Sequence, residues 1–356
     1  MEASILQLFP AALRPFWSGI SIREERLSEI RLRVGRPILL VENGRELMVD
    51  RSGILTLHKE RARCVTQEEI QALVQHICHY SVYAFEDEIR QGFITVPGGH
   101  RVGLAGQAVL NPDGEIKTIK QISFLNIRIS HEVPGAADTV LPYIYEKGVP
   151  GNLLILSPPG CGKTTLLRDL IRQVSNGNPY GAGMSVGVVD ERCELAGAFL
   201  GVPQNDLGMR TDVLDACPKA LGMMLLLRSM SPQVIAVDEL GGSDDFRALL
   251  SAAACGCRIL ATAHADAPDS FFRRSGAMQL WQERLFRHIL LLGKEDGKPV
   301  VKRVYGEEEI YAADNWSDYD WDRMSGNGSV LATKAMRTDT GSHDFTEHSG
   351  RIDEWN

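Results

Sequence analysis

An α/β fold with a mostly parallel sheet, preceded by a small α+β unit, is what this 356-residue sequence predicts. Two observations carry that prediction. The stretch Asn152 to Asp169, NLLILSPPGCGKTTLLRD, runs from an apolar strand through a Gly/Pro-rich loop into a helix opened by Lys163 and Thr164. From there to about Tyr305, apolar strands at 152–157, 185–190, 233–237 and 258–263 alternate with helical patterns at 163–175, 216–229, 244–254 and 279–286. Such alternation implies parallel strands joined by crossover helices that cover both faces, with ligands at the carboxyl ends of the strands.

Residues 1–130 read as the α+β unit. After an amphipathic opening (Ile5, Leu6, Leu8, Phe9, Leu13), SEIRLRVGRPILLVENGRELMVD alternates through Ile30, Leu32 and Val34 and resumes at Ile38 to Val41. Strands joined at the Gly-Arg-Pro turn follow, with a second turn at Asn43 and Gly44. Thr66 with Glu69 three residues on caps a helix whose apolar stripe is Ile70, Leu73, Val74 and Ile77; His76 and His79 are placed on it as ordinary helix residues. A β-rich stretch with an NPDG turn comes next, bearing Arg90, Arg101 and Arg128, and residues 131–151, with three prolines and three glycines, read as a connector.

Composition bounds the function. The net charge of −8 is uneven: residues 306–356 hold twelve Asp/Glu against four Lys/Arg, which leaves 34 of each sign in residues 1–305. A neutral body argues against a protein that chiefly grips nucleic acid, and no direct nucleic-acid partner is expected. The acidic, aliphatic-poor segment 306–356, with Trp316, Trp321 and Trp355, is expected to be a disordered tail. No apolar run reaches the eighteen or so residues of a membrane span, and the opening lacks a basic leader, so a cytoplasmic protein is expected. Seven scattered cysteines in such a chain are expected as free thiols, and the CxC pair Cys255 and Cys257 has no second pair with which to hold zinc.

The loop Ser157-Pro158-Pro159-Gly160-Cys161-Gly162-Lys163-Thr164-Thr165 has the order that phosphate binding requires. Backbone N–H groups at the turn and helix start point at an anion, Lys163 supplies a positive charge for the β and γ oxygens of ATP, and Thr164 can hold Mg²⁺. Gly160 and Gly162 let the backbone curl close to the anion. The consensus GxxxxGK[ST] is met except at its first position, occupied by Ser157; a serine there costs about 1 kcal/mol if the site demands positive φ and nothing otherwise. VIAVDE at 234–239 ends a strand in two carboxylates, Asp238 for the metal shell and Glu239 to orient and deprotonate water. RILATA delivers His264 to the same edge, where an imidazole can position a terminal phosphate. VVDERCELAG brings Asp190, Glu191 and Arg192 to a strand end, and the two carboxylates suit metal-linked water or a subunit contact. Arg210 and Arg228 are candidates for an arginine that reaches a neighbour's phosphate, a choice the sequence leaves open.

SPPGCGKTTLLRDLIR, VVDERCELAG, the block RTDVLDACPKALGMMLLLRSMSPQVIAVDELGG and ATAHA, together with SEIRLRVGRPILLV and FEDEIRQGFITVPGGHRVGLAG, resemble the stage III sporulation protein AA family over about residues 1–305. That family is similar to the motor ATPases of type II and type IV secretion. The resemblance implies a RecA-like P-loop domain over 152–305 behind the small N-terminal domain, and assembly into a hexameric ring. It further implies docking on membrane-embedded components of the channel between mother cell and forespore. It also raises Arg90, Arg101 and Arg128 as side chains that approach the nucleotide. Two other classes share parts of the pattern: a nucleic-acid-acting RecA-like ATPase, and a nucleotide-dependent assembly module with negligible turnover. A GTPase is disfavoured because no NKxD base-recognition motif is present.

Overall fold

The structure, a computed structural model, describes residues 3–312, and the tail expected at 306–356 lies from residue 313 onward outside them. Two seven-stranded sheets divide these residues. The first is antiparallel and is built from β1 (Leu27–Arg33), β2 (Leu39–Glu42), β3 (Arg45–Val49), β4 (Leu55–Thr56), β5 (Phe93–Val96), β6 (His100–Leu110) and β7 (Ile116–Arg128) in the order β4-β3-β2-β1-β7-β6-β5. Its inner face carries Ile30, Leu32, Leu40, Val102, Leu125 and Ile127 into a core shared with Ile5, Phe9 and Trp17 and with the helix Gln67–Ile77. That helix starts where the sequence requires: the Thr66 side chain accepts from Glu69 N, and Glu69 Oε2 accepts from Thr66 N, so two orphan donors are met at once. It ends at Ile77. His79 lies beyond it at φ 47°, not on the helix as the three-residue spacing from His76 suggests.

After a two-stranded hairpin of β8 (Tyr145–Glu146) and β9 (Val149–Pro150), the second sheet comprises β10 (Leu153–Ser157), β11 (Val186–Asp190), β12 (Thr211–Asp215), β13 (Val234–Val237), β14 (Arg258–His264), β15 (His288–Glu295) and β16 (Lys298–Gly306). The order is β12-β11-β13-β14-β10-β15-β16, parallel throughout except that β16 returns antiparallel on β15. Alternate residues of each strand feed two separate cores. Leu153, Ile155, Val186, Val188, Val234 and Ala236 pack with Leu166, Leu170 and Val174 of the helix Lys163–Asn176. Leu154, Leu156, Ile235, Val237, Ile259 and Ala261 pack with Phe246, Leu249 and Ala252 of the helix Ser243–Ala254. Burial on both faces explains why these strands read as continuous apolar runs.

The sequence reading holds four of these strands and omits β12, β15 and β16. The connector 131–151 is not free of the second sheet: Ala137, Val140, Leu141 and Ile144 are buried in the core that contains the Lys163–Asn176 helix. Beyond residue 305 the chain forms the short helix Glu307–Ile310, and Ile310 and Tyr311 are buried against the other core. Among the described residues no helix is long and apolar enough to cross a membrane, and the cysteines are free.

Candidate active site

Four strands of the second sheet deliver their carboxyl ends to one edge. β10 opens into the loop 158–162, β13 ends beside Asp238 and Glu239, β14 ends on His264, and β11 ends on Asp190. Because β14 lies between β10 and β13, residues more than seventy positions apart in sequence come into contact there.

The loop has the backbone that its glycines permit. Gly160 (φ 70°) and Gly162 (φ 82°) are left-handed, and a Cβ at Gly162 would stand 3.2 Å from Pro299 of β16. Ser157 is the last residue of β10 and is not among the residues with positive φ, so serine at this position carries no backbone strain. It is fully buried, and its Oγ accepts from Lys163 Nζ at 3.2 Å.

Lys163 is buried and makes a second contact, Nζ to His264 Nδ1 at 2.9 Å. Burial pulls its ammonium below the usual lysine range, while the Asp238 and Glu239 carboxylates oppose that pull. An ammonium donates only, so His264 Nδ1 is the acceptor and the ring carries its proton on Nε2, which faces Glu239 Oε1 at 3.7 Å. Thr164 Oγ1 donates to Asp238 Oδ2 at 2.7 Å. The other Asp238 oxygen accepts from Thr262 Oγ1, and Glu239 N donates to that same hydroxyl at 2.8 Å. Glu239 itself sits at φ 56°, a conformation unusual for a side-chain-bearing residue.

Thus Ser157, Gly160, Gly162, Lys163, Thr164, Asp238, Glu239 and His264 converge. Other candidates do not. Arg210 donates from Nη1 to Ser175 O at 2.8 Å, near the far end of the helix that Lys163 opens, and Arg228 is exposed in the last turn of Lys219–Ser229. Arg90 pairs at 3.2 Å with Asp87 on its own helix. Asp190 is not available as a metal-side carboxylate. Its two oxygens accept from the backbone N–H groups of Glu194, Leu195 and Ala196 at 2.9, 3.0 and 2.8 Å, so it shapes the 190–197 segment instead.

Arg101 and Arg128 of the first sheet line a cavity of about 490 Å³ whose opposite wall is Glu191, Arg192 and Glu194. Arg101 reaches across it, Nη1 to Glu194 Oε1 at 3.0 Å, while its guanidinium stacks 3.5 Å above the Phe93 ring. Three residues that sequence reasoning did not place in the site prove to touch it. Arg192 Nη1 lies 2.5 Å from Glu239 Oε2. Thr262 joins Asp238 to Glu239 as above. Arg274 donates to the carbonyls of His264 and Leu240, tying the two catalytic-edge loops together. Arg192 and Thr262 lie within VVDERCELAG and RILATA, but what they and Arg274 touch depends on strand order.

Among the described residues no group of three or more His, Cys, Asp and Glu side chains could hold a metal. The Thr164–Asp238 pair offers side-chain oxygens in direct contact at the start of the helix that follows the loop. That set fits an ion such as Mg²⁺, which keeps waters and substrate phosphates as its remaining ligands, and does not fit an all-protein cage.

A strand, phosphate loop and helix at the edge of a parallel sheet, joined to an antiparallel N-terminal sheet, define the class as an α/β protein of the P-loop type. Solved structures share the fold: the Legionella pneumophila ATPase DotB (TM-score 0.53, 19% identity, covering 80% of this chain and 78% of that one) and the pilus retraction motor PilT with bound ADP (TM-score 0.55, 17% identity, covering 86% and 83%). The family model for sporulation stage III, protein AA matches residues 1–311, and the chain is 37% identical over 305 residues, 85% of its length, to stage III sporulation protein AA of Bacillus subtilis strain 168, of which 95% is covered. The chain belongs to the stage III sporulation protein AA family.

Proposed function

We propose that the chain is a Mg²⁺-dependent ATPase, a motor of secretion-ATPase type that powers or assembles a transenvelope channel during endospore formation. The observation that carries this reading is the contact chain Lys163–His264–Glu239, set beside the Thr164–Asp238 pair at the mouth of the phosphate loop. In it, the backbone of residues 158–162 and Lys163 hold the β and γ phosphates, with Thr165 at the next helical position. Thr164 and Asp238 are the residues that would hold Mg²⁺. When bound, the ion neutralises phosphate charge and fixes the phosphate oxygens.

The chain's own residues supply the rest. Glu239 accepts a proton from water and orients it, and the Thr262 hydroxyl fixes the Glu239 backbone. His264, neutral and bonded to Lys163, donates from Nε2 toward the region where the terminal phosphate is attacked. Ring assembly as a hexamer, docking on membrane-embedded channel components and a mother-cell cytoplasmic location are parts of the same reading. They rest on the family resemblance and on the fold shared with DotB and PilT.

The test is Mg²⁺-dependent ATP hydrolysis by the full chain beside Lys163→Ala and Glu239→Gln, with mass in solution followed by light scattering with and without ATP. Turnover that both variants abolish, with Glu239→Gln still binding ATP and forming the larger species, is expected. Equal turnover in all three proteins sinks the site. Binding without turnover favours the assembly-module reading.

A further inference from the structure

The Arg192–Glu239 ion pair occupies the very carboxylate that the proposed reaction assigns to water. Arg192 Nη1 is 2.5 Å from Glu239 Oε2, Glu239 Oε1 faces His264 Nε2 at 3.7 Å, and His264 Nδ1 receives Lys163 Nζ at 2.9 Å. A guanidinium therefore stands at the end of a continuous line of groups that begins at the phosphate loop. We infer that Arg192 reads the terminal phosphate of the nucleotide bound in its own subunit. Without that phosphate the guanidinium holds Glu239; with it, the guanidinium transfers to the phosphate oxygens and releases the carboxylate to water. The inference rests on the ATPase reading above.

Three features favour the transfer. First, the backbone on either side of Arg192 is pinned, so that the side chain is the part free to move. Asp190 accepts from three amides of residues 194–196, and Glu191 is paired to the buried Lys219. Second, the Arg192 side chain is 58% exposed, and an ion pair of that exposure is weak. A terminal phosphate offers more oxygens and more negative charge than a carboxylate, and two of its oxygens can accept two parallel bonds from one guanidinium. Third, Arg101 and Arg274 are already committed and Arg210 is distant. Arg101 is bound to Glu194 and stacked on Phe93, while Arg210 is bonded to Ser175 O. The transfer has a structural consequence as well. Arg192 itself lines the cavity between the sheets, so moving its side chain to a terminal phosphate changes that wall directly.

The experiment is equilibrium binding, by calorimetry with Mg²⁺, of ADP and of the non-hydrolysable analogue AMP-PNP to the full chain, to Arg192→Ala, to Arg192→Lys and to Lys163→Ala. Arg192→Ala is expected to bind AMP-PNP about tenfold more weakly, a tenfold rise in Kd, while its affinity for ADP stays within about twofold of wild type. Arg192→Lys recovers part of the loss, because it keeps the charge and loses the fork. Equal weakening for both nucleotides, or no change for either, overturns the inference. Lys163→Ala separates the two levels of the argument: if it loses both nucleotides while Arg192→Ala matches wild type, only the role of Arg192 falls. If it binds as wild type does, or if wild type binds neither nucleotide, the phosphate-loop reading falls and takes this inference with it.

Discussion

Thr262 is a fully buried hydroxyl that holds two neighbouring carboxylate residues at once, donating to Asp238 Oδ1 and accepting from Glu239 N. Thr262→Val keeps the shape and removes both bonds, leaving a backbone N–H and a carboxylate oxygen short of a partner. A loss of roughly 1–3 kcal/mol in unfolding free energy is expected for such unmade bonds, with hydrolysis falling further than stability does, because Glu239 loses the anchor of its left-handed backbone. Urea denaturation and steady-state turnover measure the two effects; unchanged stability would show that neither bond contributes. Asp190 gives a prediction with a sign. Burial is the largest influence on its carboxyl and pushes the pKa up to about 6, against the pull of three backbone N–H donors. The folded value lies above the unfolded one, so the stabilisation from this group is fully present below about pH 4 and is lost as pH rises through about 6. Wild type should therefore lose on the order of 2–3 kcal/mol relative to Asp190→Asn between those limits and run parallel to it above them. Unfolding free energies of both proteins across that range check it, and a constant difference would contradict it.

At the scale of elements, the Gln67–Ile77 helix shows local chemistry deciding structure. Thr66 and Glu69 make both bonds of a capping box, and Arg63 pairs with the same Glu69. Thr66→Ala should cost about 0.5–2 kcal/mol of stability and leave nucleotide affinity unchanged, since the helix belongs to the first sheet's core. Thermal unfolding together with calorimetric ATP binding tests both halves. The same distinction explains what could be read in the sequence. The strands β10, β11, β13 and β14 and the helices Lys163–Asn176, Lys219–Ser229 and Ser243–Ala254 were legible because burial on both faces and helical periodicity are local signals, whereas the helix expected at 279–286 is replaced by Pro268–Phe272 and Ala277–Gln282. The positions of Asp238, Glu239 and His264 at strand ends, and of Lys163 and Thr164 at a helix start, follow from those same local signals. The strand β12 is a short edge strand of mixed polarity, TDVLD, with no run to mark it. The β15–β16 hairpin turns at Asp296 and Gly297, both with positive φ, a two-residue signal that the reading of this region as ending in a helix passed over. Arg192, Thr262 and Arg274 were illegible for a different reason. What they touch is fixed by β14 lying between β10 and β13, and strand order is not written in any one segment.

For the molecule as a whole, the question is how firmly the two sheets are joined. The contacts between them are mostly polar: Gly98 N to Gln204 Oε1 at 3.1 Å, His131 Nε2 of the connector against Leu27 O at 2.9 Å, and the Arg101–Glu194 pair at 3.0 Å, with Phe199 packed on the first core and 5.6 Å from the His79 ring as the apolar exception. Arg168 adds a clamp from the second sheet's first helix, donating to the carbonyls of His131, Glu194 and Leu195. A polar junction of this kind is the sort that allows domains to shift relative to one another, in contrast to the apolar cores on either side of it. The Arg101–Glu194 pair is the charged member of the set, with side chains 26% and 38% exposed, so solvent screens it only in part. A double-mutant cycle of Arg101→Ala, Glu194→Ala and the double variant should return a coupling of about 0.5–1 kcal/mol in unfolding free energy at low salt, shrinking as ionic strength is raised. Arg101→Ala should cost more than Glu194→Ala, because it also gives up the stack on Phe93. If the coupling is zero at every salt concentration, this pair does not hold the sheets together, and the Gly98–Gln204 and His131–Leu27 contacts, the Arg168 clamp and the buried connector residues carry the junction without it.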